Sequence, residues 1–366
     1  MHVAFDAREL AQPPRGMGIY LLAVTQRLLT RGVKVSLLAD RPLVATPDGP
    51  SRQLRVIVKA GHTTGGRRLD RLIWQETVLP KLLRRIRPDV YHAPANQGIP
   101  ENCPTPTVLT VHDLIPIIMP QDPGHYQYYS LAIGLAVNRA DRIVTISKTS
   151  RDDLYKFFPV ARTKTRVIYN GVDRLSSDGV NPYAGRAPYF IYNGGFGYRK
   201  NVDVLLQAFA KVSRKREYRN HNLVLVGAKA EDYDRFRAVA RRLGLTRRVL
   251  WPGYLGRQEL GPVIRDAVCS VLPSRYEGFA LPPLEAMTVG CPVIVARNSA
   301  MPETVGRAGL FVRTGDVDDL VRQLERMASS PRLRQRLVRE GRRNLRRFSW
   351  DRTADSLLSD YRSVAG

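Results

Sequence analysis

Two hydrophobic rhythms alternate along the chain. Short apolar runs read as strands, and apolar residues recurring at helical spacing read as amphipathic helices. In the first half the runs fall at His2–Asp6, Lys34–Ala39, Arg55–Val58, Val90–His92, Thr107–Val111, Arg142–Ile146 and Arg166–Tyr169. Helical spacing covers Tyr20–Arg31 (closed by Gly32), Leu69–Arg87 (stopped by Pro88), Gln127–Arg139 and Ser150–Phe157. Strands that alternate with helices predict an α/β chain with a parallel sheet covered by helices on both faces.

From Leu175 to Pro188 the rhythm stops, and Ser, Asp, Gly, Asn and Pro give the composition of a linker. A second series follows. Its strands are Tyr189–Tyr192, Leu223–Val226, Val249–Trp251, Cys269–Leu272, Pro292–Ala296 and Gly309–Val312. Its helices are Asn201–Arg214, Asp232–Leu243, Glu259–Asp266, Pro282–Val289, Val317–Met327, Pro331–Arg347 and Trp350–Ser363. A chain of 366 residues is too long for one ordinary core. The expected organisation is a parallel-sheet domain over 1–174, a linker over 175–188, a second such domain over 189–347 and a terminal helix over 348–366.

In open parallel sheets, ligands bind beyond the carboxyl ends of the strands. That rule selects Gly16, Gly18, His112 and Ser147 in the first half. In the second it selects Asn193–Lys200, Gly227, Gly253 and Arg275–Leu281, where glycines, positive charge and a helix start suit a phosphate-bearing ligand. The strongest segment is Ser274-Arg275-Tyr276-Glu277-Gly278-Phe279-Ala280-Leu281-Pro282-Pro283-Leu284-Glu285-Ala286. It follows a buried strand and opens a helix, with Pro282 near the first helical position. Glu277 is expected in the loop and Glu285 in the first helical turn, with seven residues between them. A carboxylate accepts from two neighbouring sugar hydroxyls, so the pair suits a transferred sugar and a ribose. Taken alone, Glu285 reads equally as a complement to the helix dipole and Glu277 as an exposed loop acid.

This segment resembles the Glu-x7-Glu motif of retaining glycosyltransferases of family 4. Glu277-Gly278-Phe279, Pro283-Leu284-Glu285-Ala286-Met287, Gly290, Pro292-Val293-Ile294 and Pro302-Glu303 all fit it. So do Gly16-x-Gly18-Ile19-Tyr20, Tyr91-His92-Ala93-Pro94, His112-Asp113-Leu114, Ser147-Lys148, Asn170-Gly171-Val172-Asp173 and Arg199-Lys200-Asn201, so that the resemblance covers nearly the whole chain. It implies two Rossmann-like domains of the GT-B type facing across a deep cleft. It also implies transfer of a hexosyl group from a nucleotide-sugar to an acceptor hydroxyl, with retention. Front-face attack is implied, the departing diphosphate oxygen accepting the acceptor's proton, with no protein nucleophile.

By the same resemblance, Glu277 holds hydroxyls of the donor sugar and Glu285 binds the ribose. The backbone of Phe279, Ala280 and Leu281 lies against donor sugar and diphosphate, Lys200 neutralises the diphosphate and Arg199 assists it. Gly195 belongs to the glycine turn before that pair, and Gly16 and Gly18 let the first loop approach the diphosphate. His112 touches the donor sugar and stabilises charge during transfer, and Asp113 shapes its loop by capping N–H groups. Many relatives place the arginine several residues before the lysine; here Asn193-Gly194-Gly195 stands there and Arg199 adjoins Lys200. Phe348-Ser349-Trp350 resembles the start of a crossing back to the first domain, a strap that favours closure around the donor. The alternative is a helix that finishes the second domain.

No Asp-x-Asp pair stands at a strand end and no His/Cys ligand set is evident, so the expectation is no metal and no cofactor beyond the nucleotide-sugar co-substrate. The N-terminus lacks an apolar run, no long apolar stretch occurs, and Cys103, Cys269 and Cys291 are odd in number and far apart. A cytoplasmic protein is expected, or one peripheral on the inner face of the membrane. The formal net charge is +25. Nucleic-acid phosphates, an anionic membrane and an arginine-rich solvated surface each account for it. No nucleic-acid module is present, and the charge is spread over helical segments such as Arg214–Arg219 and Arg235–Arg248.

The Arg199–Asn201 and Glu277–Glu303 stretches look most like mannosyl- and rhamnosyl-transferring members. GDP-mannose is favoured, with UDP-glucose, UDP-N-acetylglucosamine and dTDP-sugars open. Acceptor choice is expected in the loops Gly61–Gly66 and Asp122–Tyr129. The helix over Leu69–Arg87, with Arg67, Arg68, Arg71, Lys81, Arg84, Arg85, Arg87 and Trp74 in or beside it, reads as a basic amphipathic surface for anionic lipid or as a solvated face. A glycan or lipid-linked acceptor in envelope polysaccharide synthesis suits the first reading, and a soluble natural-product acceptor is the alternative. An epimerase or pseudo-glycosyltransferase reaction in a similar cleft, and a basic nucleic-acid-binding protein, remain as competing classes.

Overall fold

The computed structural model describes residues 1–49, 52–61, 64–185, 187–227 and 230–366, the side chains of 67 and 230–232 excepted. Residues 62 and 63, inside the first expected acceptor loop, lie outside this set. The chain divides into two compact units: unit 1 is Met1–Gly171 with Ser349–Gly366, and unit 2 is Val172–Phe348.

Unit 1 contains β1 (His2–Asp6), β2 (Lys34–Ala39), β3 (Leu54–Val58), β4 (Val90–Ala93), β5 (Thr107–Val111), β6 (Arg142–Thr145) and β7 (Thr165–Val167). They form one parallel sheet in the order β3-β2-β1-β4-β5-β6-β7. Its helices are α1 (Gly16–Thr30), α2 (Arg67–Thr77), α3 (Leu79–Ile86), α4 (Ile115–Ile118), α5 (Pro123–Arg139) and α6 (Lys148–Phe157). Alternate strand residues feed two cores, one on each face. Val3, Phe5 and Val108 join Tyr20, Leu28 and Val35 on one face. Ala4, Leu109 and Val111 join Trp74, Leu83 and Ile133 on the other. Strands covered on both sides read as near-continuous apolar runs, which is why their positions show in the sequence.

Two helices depart from expectation. α1 begins at Gly16, so Gly16 and Gly18 stand in its first turn and not in a loop ahead of it. The helix over 69–87 is broken at Val78. Pro80 supplies no N–H for the Glu76 carbonyl, and its ring crowds the preceding turn. The apolar face of α3 is spent in the core, with Leu79, Leu82 and Leu83 buried, so only Lys81, Arg84, Arg85 and Arg87 face outward. An amphipathic helix free to press that face into lipid is therefore not what the fold presents.

Unit 2 contains β8 (Tyr189–Asn193), β9 (Asn222–Val226), β10 (Val249–Gly253), β11 (Cys269–Leu272), β12 (Val293–Ala296) and β13 (Gly309–Val312). Its helices are α7 (Val202–Ser213), α8 (Ala230–Arg242), α9 (Arg257–Arg265), α10 (Leu281–Thr288), α11 (Met301–Val305), α12 (Val317–Ser329) and α13 (Pro331–Leu345). The parallel order is β10-β9-β8-β11-β12-β13. Counted from its own first strand, each sheet runs 3-2-1-4-5-6, with a seventh strand at the end in unit 1, the doubly wound order whose ligand crevice opens where the winding reverses. Those reversals lie between β1 and β4 and between β8 and β11. The segment 175–188, expected as a linker, packs on unit 2. Leu175 is buried, and the Asn181 amide donates to Tyr189 Oη and to Asp266 Oδ2, both at 2.9 Å. A side chain at Gly261 of α9 would meet the Ser176 carbonyl at 1.8 Å, so the segment lies directly on that helix. Held by single polar contacts, it has no periodicity to read.

α14 (Trp350–Ala365) returns to unit 1 and places Trp350, Leu357 and Tyr361 in the core that Tyr20 shares. Thr353 Oγ1 donates to the Tyr169 carbonyl at 2.7 Å and Arg166 pairs with Asp360 at 2.9 Å. A Cβ at Gly171 would lie 2.1 Å from Trp350 N, so only glycine permits this approach.

Candidate active site

In unit 2 the reversal point is framed by the loops that follow β8 and β11. After Asn193 comes Gly194-Gly195-Phe196-Gly197, then a 3-10 turn over Tyr198–Lys200. The Tyr192 hydroxyl donates to the Gly195 carbonyl and would sit 2.8 Å from any Cβ at 194. A Cβ at 195 would meet nothing, so the turn is open toward solvent there. The Asn201 amide donates to the Pro273 carbonyl at 3.1 Å, and Arg275 N–H to the Arg199 carbonyl at 2.7 Å. These two bonds stitch loop 194–201 to loop 273–280.

Three sequence-selected side chains meet across that seam. Arg199 Nη1 donates to Glu277 Oε2 at 2.5 Å and to the Tyr276 carbonyl at 2.6 Å. Lys200 Nζ donates to Glu277 Oε1 at 2.7 Å. The Glu277 side chain is 9% exposed, not the exposed loop acid that a lone glutamate suggests. Burial works to raise its pKa, but Lys200 and Arg199 outweigh burial and hold it below the ordinary value. Glu277 is thus ionised at neutral pH, and two cations face one carboxylate. An ammonium has three donors, so Lys200 can keep Glu277 and still reach an anion.

The backbone here is strained. Asn201, Ala280 and Ser299 have φ of 59°, 65° and 45°; the fourth non-glycine residue with positive φ among the described residues is Arg87. Such conformations persist where surrounding contacts over-determine them. Ser299 is tied directly to the site, its Oγ accepting from Glu277 N–H at 2.9 Å while Ala300 N–H donates to the Glu277 carbonyl at 3.2 Å. Asn298 and Ser299 were not among the expected residues, although they follow β12 at its carboxyl end, where the strand-end rule finds them.

α10 starts at Leu281 with Ala280 as its N-cap. The Phe279 ring is buried 5.5 Å from Phe348, and its carbonyl accepts from Thr304 Oγ1 at 2.6 Å. Pro282 and Pro283 have no N–H, so this helix start offers fewer donors than most. Glu285 is the fifth residue of α10, beyond the first turn where it was expected. Burial raises its pKa against the pull of Arg257, whose Nη1 donates to Glu285 Oε1 at 3.2 Å. The two glutamates are therefore driven in opposite directions, Glu277 by surplus cation and Glu285 by desolvation.

In unit 1, His112 follows β5 directly. Its Nε2 lies 2.7 Å from the Pro94 carbonyl, which can only accept, so Nε2 carries the proton and Nδ1 is the acceptor. Burial lowers its pKa to about 4, the Pro94 bond opposing only in part. At neutral pH the ring is uncharged, so it brings a hydrogen-bond acceptor and not the cation that charge stabilisation suggests. The Tyr20 ring packs edge-on at 4.9 Å. Beneath it runs a buried chain that sequence reasoning missed. Tyr361 Oη meets His92 Nδ1 at 2.6 Å, His92 Nε2 meets Thr110 Oγ1 at 2.8 Å, and Thr110 meets Tyr20 Oη at 3.0 Å. Asp113 Oδ1 accepts from Ile115 N–H at 3.0 Å, and Ser150 Oγ donates to the His112 carbonyl at 2.6 Å. A Cβ at Gly18 would sit 3.3 Å from Pro14 Cβ and 3.4 Å from the Glu9 carbonyl, whereas one at Gly16 would meet nothing. Packing accounts for Gly18; Gly16 stands at an open helix start.

Among the described residues, no group of three or more His, Cys, Asp or Glu is placed to hold a metal ion, and no helix is long and apolar enough to cross a membrane.

Comparison with known proteins agrees with this layout. The family described as Glycosyltransferase Family 4 matches residues 14–174, and Glycosyl transferases group 1 matches residues 175–344. The O-antigen chain mannosyltransferase B of Escherichia coli is 28% identical over an alignment that covers 76% of this chain and 76% of that one. Sucrose-phosphate synthase from Thermosynechococcus elongatus superposes with a TM-score of 0.80 at 20% identity, covering 99% of this chain and 98% of that one. Anabaena HepE in complex with UDP-glucose gives a TM-score of 0.76 at 18% identity, covering 99% and 100%. With two doubly wound units and family matches that together span 14–344, the chain belongs to the family 4 type of glycosyltransferases, with a GT-B architecture and mannosyltransferase-like relatives.

Proposed function

We propose that the chain transfers a hexosyl group, mannosyl by preference, from a nucleotide-sugar to a glycan or lipid-linked acceptor hydroxyl, with retention and without a metal. The observation that carries the reading is the ionised, buried Glu277 gripped by Arg199 and Lys200 where the second sheet reverses. The surplus cation suits the diphosphate, which in many transferases is neutralised by a magnesium ion. Glu277 then accepts from sugar hydroxyls, Glu285 from the ribose, and the Phe279–Leu281 backbone lies along the diphosphate. His112 accepts from a donor hydroxyl at Nδ1, and the open positions Gly16 and Gly195 leave room for the nucleotide-sugar, Gly18 being held by packing.

Both Glu277 oxygens are engaged by cations, which makes it a poor nucleophile and favours front-face attack. In that step the anomeric carbon–oxygen bond to the diphosphate breaks and the acceptor oxygen bonds on the same face. The acceptor's proton passes to the departing diphosphate oxygen. The mannosyl preference follows the O-antigen mannosyltransferase, and the nucleotide-sugar follows HepE with its UDP-glucose. GDP-mannose is the first donor to try.

The test is a panel of nucleotides and nucleotide-sugars against thermal stability, with and without EDTA. A ligand that binds only the folded state raises the melting temperature. One base is expected to give a shift that survives EDTA and is lost in Glu285→Ala, with about tenfold weaker binding. No shift from any nucleotide at millimolar concentration overturns the donor site. Anomeric analysis of the product by NMR decides retention. Flotation with anionic vesicles at low salt decides whether the exposed basic face of α3 holds the protein at a membrane, where a lipid-linked acceptor would lie.

A further inference from the structure

Three adjoining cavities run along unit 2 at the amino ends of β8, β11 and β12. The first and second share Gly290 and Arg342, and the second and third share Ala267, Val268 and Arg334. This is the opposite end of the sheet from loops 194–201 and 273–280, with the eight residues of α10, about 12 Å, between them. The first cavity holds about 600 Å³, inside the ~300–1,000 Å³ range of small-molecule sites.

Charge in these cavities is one-sided. Arg174, Arg265, Arg334, Arg339 and Arg342 line them against a single acid, Asp266. Asp266 is already gripped by Arg265 through both oxygens, at 2.6 and 2.9 Å. The side chains of Arg174 and Arg342, both on the first cavity, make no hydrogen bond or ion pair with any described residue. Both are exposed side chains on the lining of the cavity, and a guanidinium there without a partner can bond a phosphoryl group through two parallel N–H donors. The same wall carries the Ser177 and Thr288 hydroxyls and the half-buried Val172 and Leu345, which suit a small carbon body bearing hydroxyls.

We infer that this cavity binds a phosphate monoester of a small sugar, at a site separate from the donor loops. The proposed transfer does not use these arginines. The experiment is calorimetric titration of the full chain with mannose 6-phosphate at low ionic strength. It is repeated on Lys200→Ala and on Arg174→Gln/Arg342→Gln, each checked for an unchanged melting temperature. The expected result is saturable binding that Lys200→Ala leaves within about twofold and that the arginine pair weakens tenfold or more. Inorganic phosphate is expected to bind more weakly than the sugar phosphate, because it leaves the apolar wall empty. Absence of binding overturns the inference. So does binding indifferent to the arginine pair, or binding abolished by Lys200→Ala, which would put the probe on the donor loops.

Discussion

The two units share a strand order and a reversal point, yet what stands at each reversal differs. Unit 1 balances the charge at its carboxyl edge, Asp6 with Arg8 at 2.8 Å and Glu9 with Arg71 at 3.0 Å, and adds neutral, desolvated groups: His112 and His92 are uncharged at neutral pH, and a Tyr–His–Thr–Tyr chain closes the space below. Unit 2 fills the same edge with charge, two cations on one carboxylate, framed by strained backbone. The scaffold is common and the chemistry is not, because function resides in side chains grafted on a fold. On the proposed reading, unit 2 receives the anionic donor at this edge, and unit 1 presents His112 as a neutral hydrogen-bond acceptor.

The contrast is most sharply tested by rate. Lys200→Ala is expected to lower kcat by about 10²–10³-fold, as loss of a preorganised charge does. Initial rates with the donor identified by thermal shift measure this, with His112→Ala as the unit 1 counterpart. A larger loss in His112→Ala than in Lys200→Ala breaks the comparison.

Acid should act on unit 1 first. The folded His112 pKa, about 4, and the folded His92 pKa, about 3, lie below the ordinary 6.5, with burial the main cause in each. The unfolded chain therefore takes up protons first as pH falls, and stability drains away from near 6.5 downward. Between there and pH 4 the His112 contribution alone is ~3 kcal/mol. Hydrogen exchange at pH 7 and pH 4.5 is expected to show β4 and β5 amides losing protection ahead of β8 and β11. His92→Gln should flatten the unit 1 slope.

A steric test follows in size. Gly171→Ala forces a Cβ against Trp350 N and is expected to cost about 2 kcal/mol, read by urea unfolding followed through tryptophan fluorescence. The smallest effect is in unit 2. Ala280→Gly should relieve the left-handed backbone and raise stability by about 0.5–1 kcal/mol in the same assay. A loss instead would mean the strain at Ala280 is not borne locally.

Much of this was legible beforehand, for reasons that differ by element. Strands buried on both faces leave apolar runs, so β1, β5, β8 and β11 could be placed closely. Lys200 and Glu277 were each selected by the strand-end rule, but their pairing was not; it depends on β8 and β11 being neighbours in the sheet. What escaped was set by tertiary contact. α1 starts at Gly16 although its first turn holds two glycines, because Gly18 packs closely on Pro14 and Glu9. The break before α3 was written in Pro80, but the apolar spacing runs straight through it. α4 and α11 are too short, at four and five residues, to show periodicity. The His92 chain joins residues 269 positions apart, a pairing no local pattern encodes.

The order of synthesis adds a constraint of its own. Unit 1 is a discontinuous body: residues 1–171 leave the ribosome early, but its last wall, carrying Trp350, Leu357 and Tyr361, is translated only after all of unit 2. The core that Tyr20, Leu28 and Val35 begin must wait with an apolar flank uncovered while the second sheet assembles. Unit 2 is contiguous and has no such wait, so it is positioned to finish folding first although it is made second. A chain stopped after Phe348 would keep every residue of loops 194–201 and 273–280 and yet carry a first unit unable to close. Its failure would show as aggregation before it showed as lost catalysis.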